Sequence, residues 1–285
     1  MSLYSDGTTI HALVHNEYHD PDATTCKPGD TTDGNPCQYT SITYATSTDG
    51  GHTFSESSAP ANLVAPPPVQ WTPPAQGQAP FYYGYQEPTN IVHAADGFYY
   101  ARFGEFPPPG QPYFGGNCEM RTQTLSDPSS WRAWDGAAFE LEMTDPYTGP
   151  AAALCKDLSS GQTVPWESLS FNTYLNQYML VGLDSDYSDG TVVNCGFHFA
   201  LSPDLVNWSA QQLIAPAYVP APSACQKPGA GGLAGSYAYA SIIDPDDPST
   251  NFETPGRTAY IYFTRFNDNI EDRDLVRIPI LITKY

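Results

Sequence analysis

Three features of the 285-residue chain predict an all-β fold of the β-propeller kind: period-2 alternation, abundant turn residues, and one polar turn repeated along the sequence. No window of helical length carries a 3.6-residue apolar stripe. The 28 prolines and 23 glycines are too many for a helical bundle. Hydrophobic residues at 40% and aromatics at 13% supply a buried core, which excludes a disordered chain.

Taken in chain order, β-branched and aromatic runs predict strands at 10–18, 41–47, 90–103, 119–124, 168–183, 196–201, 237–243, 259–266 and 275–283. The two long spans, 90–103 and 168–183, each hold two strands, with turns at Ala95-Asp96-Gly97 and Tyr174-Leu175-Asn176. Three units close on a related turn: Ser47-Thr48-Asp49-Gly50-Gly51-His52-Thr53-Phe54, Ser126-Asp127-Pro128-Ser129-Ser130-Trp131, and Ser202-Pro203-Asp204-Leu205-Val206-Asn207-Trp208. A fourth unit, 237–285, has a hairpin and a third strand but no such turn. Each of the first three units carries an acid near its start: Glu17, Glu87 and Glu167. Small antiparallel units with a repeated turn indicate one propeller domain over residues 1–285; a β-sandwich does not explain the spacing.

With 11 Lys+Arg against 31 Asp+Glu, the net charge is −20. Nucleic acid and anionic membrane surfaces repel such a chain, so neither is an expected partner. No run of 18 apolar residues is present. No signal peptide is visible at Met1; if one existed, this sequence is the mature or recombinant form. The six cysteines form no C-x-x-C pair and lie in or beside turns, which disfavours a zinc ribbon. Sequential disulfides 26–37, 118–155 and 195–225 are one of 15 connectivities; six buried free thiols are the alternative. Cysteines and acidity together favour an extracytoplasmic protein.

At this point a resemblance becomes specific. Ser47 to Phe54 is similar to the sialidase-type Asp box, and Ser202-x-Asp204-Leu205-x-x-Trp208 resembles its form in five-bladed propeller glycosidases of the arabinanase, xylosidase and fructosidase kind. The resemblance implies one Asp or Glu on the innermost strand of each of three successive blades. It places the Asp box on the outer rim, so Asp49 is a turn former. Only four units are visible, which implies that the N-terminal blade is incomplete or missing in this chain. The string Val276-Arg277-Ile278-Pro279 is similar to a sialidase motif but stands where that motif does not belong.

Glycoside hydrolysis needs one protonated and one ionised carboxyl group across the sugar. Glu17, Glu87 and Glu167 are the candidates, with Glu87 or Glu167 as acid and Glu17 as base or as the acid's tuner by resemblance. His15 and His19 share the strand face of Glu17 and are candidate substrate contacts, or metal ligands. Asn90 and Trp166 stand beside the other two glutamates, and Trp166 offers a sugar-stacking face. Arg102 and Arg265 interrupt aromatic strands, where each needs an acidic partner or a ligand. The oxygens of Asp20, Asp22, Asp30, Asp33 and Asn35 suit calcium, although their spacing does not fit the 12-residue calcium loop; no other cofactor is expected. The Gly-rich stretch 229–235 lacks a phosphate-loop lysine and following helix. The leading reading is a monomeric glycoside hydrolase acting on an arabinan-, xylan- or fructan-like carbohydrate. The rivals are a non-catalytic carbohydrate-binding propeller and a polysaccharide lyase using His15 or His19 with an arginine.

Overall fold

A computed structural model describes residues 1–20, 37–75, 82–108, 117–150, 153–158, 167–188, 191–216, 237–267 and 271–284. These are strands and connections, and the one helical element among them is a 3-10 turn, Pro128–Ser130. Among the described residues, no helix is long and apolar enough to cross a membrane. Two compact units divide the chain, Met1–Leu158 and Ser159–Tyr285.

The first unit is an 11-stranded sheet made of two meanders. One comprises β1 (Ser2–Ser5), β2 (Ile10–His19) and β3 (Gln38–Ser47), with short β4 (Ser55–Glu56) and β5 (Leu63–Ala65) on the far side of β3. The next follows β6 (Tyr82–Gln86) and comprises β7 (Val92–His93), β8 (Tyr99–Phe106), β9 (Asn117–Thr122), β10 (Arg132–Trp134) and β11 (Phe139–Glu142). β6 joins the two meanders, running parallel to β3 and antiparallel to β8. Gly84 makes that junction possible: its φ is +131°, and a Cβ there would stand 2.1 Å from the Thr40 carbonyl oxygen.

The second unit holds a four-stranded meander of β12 (Ser168–Asn172), β13 (Gln177–Ser188), β14 (Thr191–Ser202) and β15 (Gln212–Pro216). A three-stranded one follows: β16 (Tyr237–Ile243), β17 (Thr258–Phe266) and β18 (Arg273–Leu281). Alternation puts Ala259, Ile261 and Phe263 of β17 into a core shared with Met179, Val181 and Phe197. The first unit has its own core, with Leu13, Ile42, Phe103, Met120 and Trp131 at its centre. The expected all-β chain of repeated antiparallel units therefore holds, and each meander is a blade-like element of the expected kind. Both expected hairpin turns also form.

The repeated turn is held as its residues require. Ser47 Oγ donates to Asp49 Oδ1 at 2.7 Å and accepts from Gly51 N at 2.9 Å; Thr53 donates to Asp49 through both its backbone and its hydroxyl. Those bonds, from Thr53 first, hold the Asp49 carboxyl well below the usual range. Asp204 accepts from Val206 N and Asn207 N in the matching turn. The middle copy needs correction. Ser47, Thr122 and Ser202 each end the third strand of a meander and face the start of its second strand, at Ile10, Tyr99 and Tyr178. Thr122 accepts from Thr124 N at 2.9 Å, so it is the counterpart of Ser47, rather than Ser126.

The disulfide Cys118–Cys155 forms as expected, with a Cα–Cα distance of 5.8 Å. Cys37 and Cys195 are also disulfide-bonded. Cys26 and Cys225 lie outside the described residues.

Candidate active site

The end of β2 and the segment after β6 build the site. Strand alternation sends His15, Glu17 and His19 to one face of β2. Glu17 pairs with Thr40 on β3, and Thr40 pairs with Gly84 on β6, so the three form a row across the sheet. β6 then delivers Glu87 two residues beyond its neighbour Tyr85. The chain turns there, with Glu87 at φ +51°, a left-handed conformation uncommon for a residue with a side chain. Ser2 Oγ donates to the Pro88 carbonyl at 2.5 Å and ties this turn to β1.

The two carboxylates have opposite surroundings. Glu17 is exposed, and its Oε2 accepts from His19 Nε2 at 2.9 Å and from Gln38 Nε2 at 3.2 Å. Its Oε1 lies 3.6 Å from His15 Nε2, beyond hydrogen-bond reach. His15 Nε2 is buried without a hydrogen bond, and burial holds the imidazole below its ordinary pKa despite the nearby Glu17. Glu87 is pushed above the usual carboxylate range, first by burial and then by the charge of Glu17, with the Met1 amino group opposing. One carboxyl is thus disposed to keep its proton while its neighbour is hydrogen-bonded as an acceptor.

The other expected site residues have surroundings of their own. Glu167 belongs to the second unit, where its two oxygens accept three backbone N–H groups: Leu183 at 2.8 Å, Ala240 at 3.0 Å and Tyr239 at 3.1 Å. It staples β13 to an irregularity in β16, where Tyr239 has φ +61°. The three-fold recurrence is also reduced to two, because Glu87 and Glu167 precede the first strand of a meander while Glu17 lies on a second strand. Arg102 is fully buried, 3.5 Å from Glu119 and 3.9 Å from Asp157, so it is a core ion pair and not a sugar contact. Arg265 donates to Asp274 at 2.6 Å on the neighbouring strand β18, which accounts for its charge. Asn90 is partly buried on the link from Glu87 to β7. Trp166 lies outside the described residues, as do Asp22, Asp30, Asp33 and Asn35 of the calcium candidate. Asp20 is buried and accepts from Trp71 Nε1 at 2.8 Å.

Sequence reasoning passed over Gln38, which orients Glu17, and Glu119, which neutralises Arg102. It also passed over Glu105, a buried carboxyl on β8. An acid inside an aromatic strand was the available signal for the last.

No protein-family model matches the chain, and no curated protein matches it. Among solved structures, it is similar to a thermostable family-43 glycoside hydrolase at 11% identity and a TM-score of 0.44, over 99% of this chain and 70% of that one. It is also similar to the endo-1,5-alpha-L-arabinanase of Thermotoga petrophila RKU-1, at 12% identity and a TM-score of 0.43, over 93% of this chain and 47% of that one. A third likeness is to Zg3597, a family 117 glycoside hydrolase of Zobellia galactanivorans, at 13% identity and a TM-score of 0.43, over 96% and 67%. At such scores the likeness fixes neither a blade count nor any residue's role.

Proposed function

We propose that the protein is a glycoside hydrolase in which Glu87 is the general acid and Glu17 the general base, with residues 1–285 forming one propeller domain. Its substrate is a poly- or oligosaccharide of the arabinan, xylan or fructan kind. The observation that carries this reading is the Glu17–Glu87 pair: Glu87 is raised above the usual carboxylate range by burial and then by the charge of Glu17, while Glu17 is exposed and accepts hydrogen bonds from His19 and Gln38. Glu87 donates its proton to the leaving glycosidic oxygen. Glu17 Oε1, which no protein group hydrogen-bonds, takes a proton from water. The oxygen of that water attacks the anomeric carbon.

The lyase reading gains no support from the two strand arginines, because Arg102 is enclosed beside Glu119 and Arg265 is paired with Asp274. The disulfide-bonded state of Cys37, Cys118, Cys155 and Cys195 supports an oxidising, extracytoplasmic setting.

The test is turnover on a panel of arabinan, xylan, fructan and aryl glycosides, with the product anomer read by NMR. Hydrolysis is expected on one of them, with loss of rate in Glu87→Gln and Glu17→Gln, and the product anomer then separates a retaining from an inverting reaction. Binding without turnover would leave a carbohydrate-binding protein. Full activity in both variants would remove the pair from the chemistry.

A further inference from the structure

Glu105 lies on β8 opposite Tyr85 and is only 6% exposed. Its Oε2 stands 3.8 Å from Cys155 Sγ and 4.0 Å from Cys118 Sγ. Its Oε1 is buried without a hydrogen-bond partner. The two sulfurs are bonded to each other and carry no hydrogen, so neither donates to the carboxyl group. A carboxyl enclosed against two atoms that give it nothing is costly. Its position becomes intelligible in a state where the sulfurs are no longer joined. Among the described residues, Glu105, Cys118 and Cys155 are the one group of three whose ligand atoms all lie within 4.8 Å of one another.

We propose that reduction of the Cys118–Cys155 disulfide converts this cluster into a binding site for one zinc-class divalent cation. Two thiolates and one carboxylate oxygen form a donor set that such an ion accepts, at about 2.3 Å to sulfur and about 2.0 Å to oxygen. Ligand atoms of one tetrahedral ion lie about 3–4 Å apart, close to the present oxygen–sulfur separations. Only the sulfur pair must open. Cys155 lies outside any strand, on the connection after β11, while Cys118 is anchored in β9. Moving the Cys155 side chain is therefore the smaller adjustment.

The chemistry balances. A dithiol reductant supplies two electrons and two protons, becomes a cyclic disulfide, and leaves two protein thiols. The cation then displaces both thiol protons, and any proton on Glu105. Lys156 and Asp157 flank the cluster, Tyr85 faces Glu105 across the strands, and the Arg102–Glu119 pair lies further along β8 and β9. Either the disulfide or the ion ties the Cys155 segment to β9.

The experiment reduces the full chain with a phosphine and titrates it with Co²⁺. A variant with Cys26, Cys37, Cys195 and Cys225 changed to serine isolates the site. Thiolate charge-transfer bands and the visible bands of tetrahedral cobalt are expected at one equivalent, with near-ultraviolet circular dichroism retained. Cys118→Ser/Cys155→Ser should abolish the bands, and Glu105→Gln should weaken binding by roughly tenfold or more. Absence of the bands, their appearance only as the near-ultraviolet signal is lost, or equal affinity in Glu105→Gln would overturn the proposal.

Discussion

Glu87 and Glu167 occupy comparable places in the chain, each just ahead of the first strand of a meander, yet their surroundings are opposite. Glu87 sits at a left-handed turn, partly buried and facing the charge of Glu17. Glu167 meets three backbone N–H groups at 2.8–3.1 Å. The same side chain is thus a reservoir for a proton in one meander and a structural acceptor in the next. What separates them is the supply of donors. β16 has an irregularity between Ala238 and Ser241 that turns two N–H groups toward Glu167.

Substitution by glutamine tests this contrast most severely through activity. Glu87→Gln and Glu17→Gln should each lower kcat/KM by about 10²–10⁴-fold in steady-state assays, the usual contribution of a positioned acid or base. A wild-type rate that does not fall as pH rises through the raised pKa of Glu87 would count against its role as the acid. The next largest effect is expected at the junction that brings the pair together. Gly84→Ala forces a Cβ against the Thr40 carbonyl. It should cost about 3 kcal/mol in denaturant titration and reduce turnover as β6 moves away from β3.

The two glutamates should also differ in the sign of their effect on stability. The pKa of Glu87 is raised on folding, so the stability tied to its proton is present at low pH and lost as pH rises through the folded value. Glu87→Gln should therefore raise Tm at pH 8. Glu167→Gln instead removes a charged acceptor from three donors and should destabilise by about 2 kcal/mol. A common sign for the two would end the comparison.

Glu105 gives a pH dependence of its own. Burial, the largest cause, raises its pKa from an ordinary 4.5 to about 7, with Lys156 opposing. Its favourable contribution is complete below 4.5 and is lost as pH climbs through about 7. In Glu105→Gln, the fall in Tm between pH 5 and pH 8 should be smaller than in wild type. The smallest effect is expected at the exposed turn, where Asp49→Ala should lower Tm slightly and leave turnover unchanged.

Much of the architecture was legible because alternation and turn chemistry act locally. Nine strand regions, both hairpin turns, the Ser47 and Ser202 turns and the Cys118–Cys155 bridge all follow from residues close in sequence or from simple pairing order. β1, β4, β5, β6, β10, β11 and β15 were missed, all of them five residues or shorter. β1 is only four residues long, and β6 is specified by contacts with β3 and β8 more than by its own pattern. The Ser126 turn was misaligned because Thr122 supplies the oxygen where the motif has serine.

The site divides along the same line. By itself, the sequence determined that His15, Glu17 and His19 share a strand face, because side chains alternate whatever the strand packs against. It also determined that Arg102 and Arg265 needed partners, because a charge in an apolar strand is costly. Only the tertiary structure decided that Glu87 is buried within reach of the charge of Glu17, that Glu167 is held by backbone donors, and that Arg102 is closed in a core pair. Each of those outcomes depends on which groups approach from strands distant in sequence. Proton affinity and hydrogen bonding respond to that approach, which residue type and spacing do not encode.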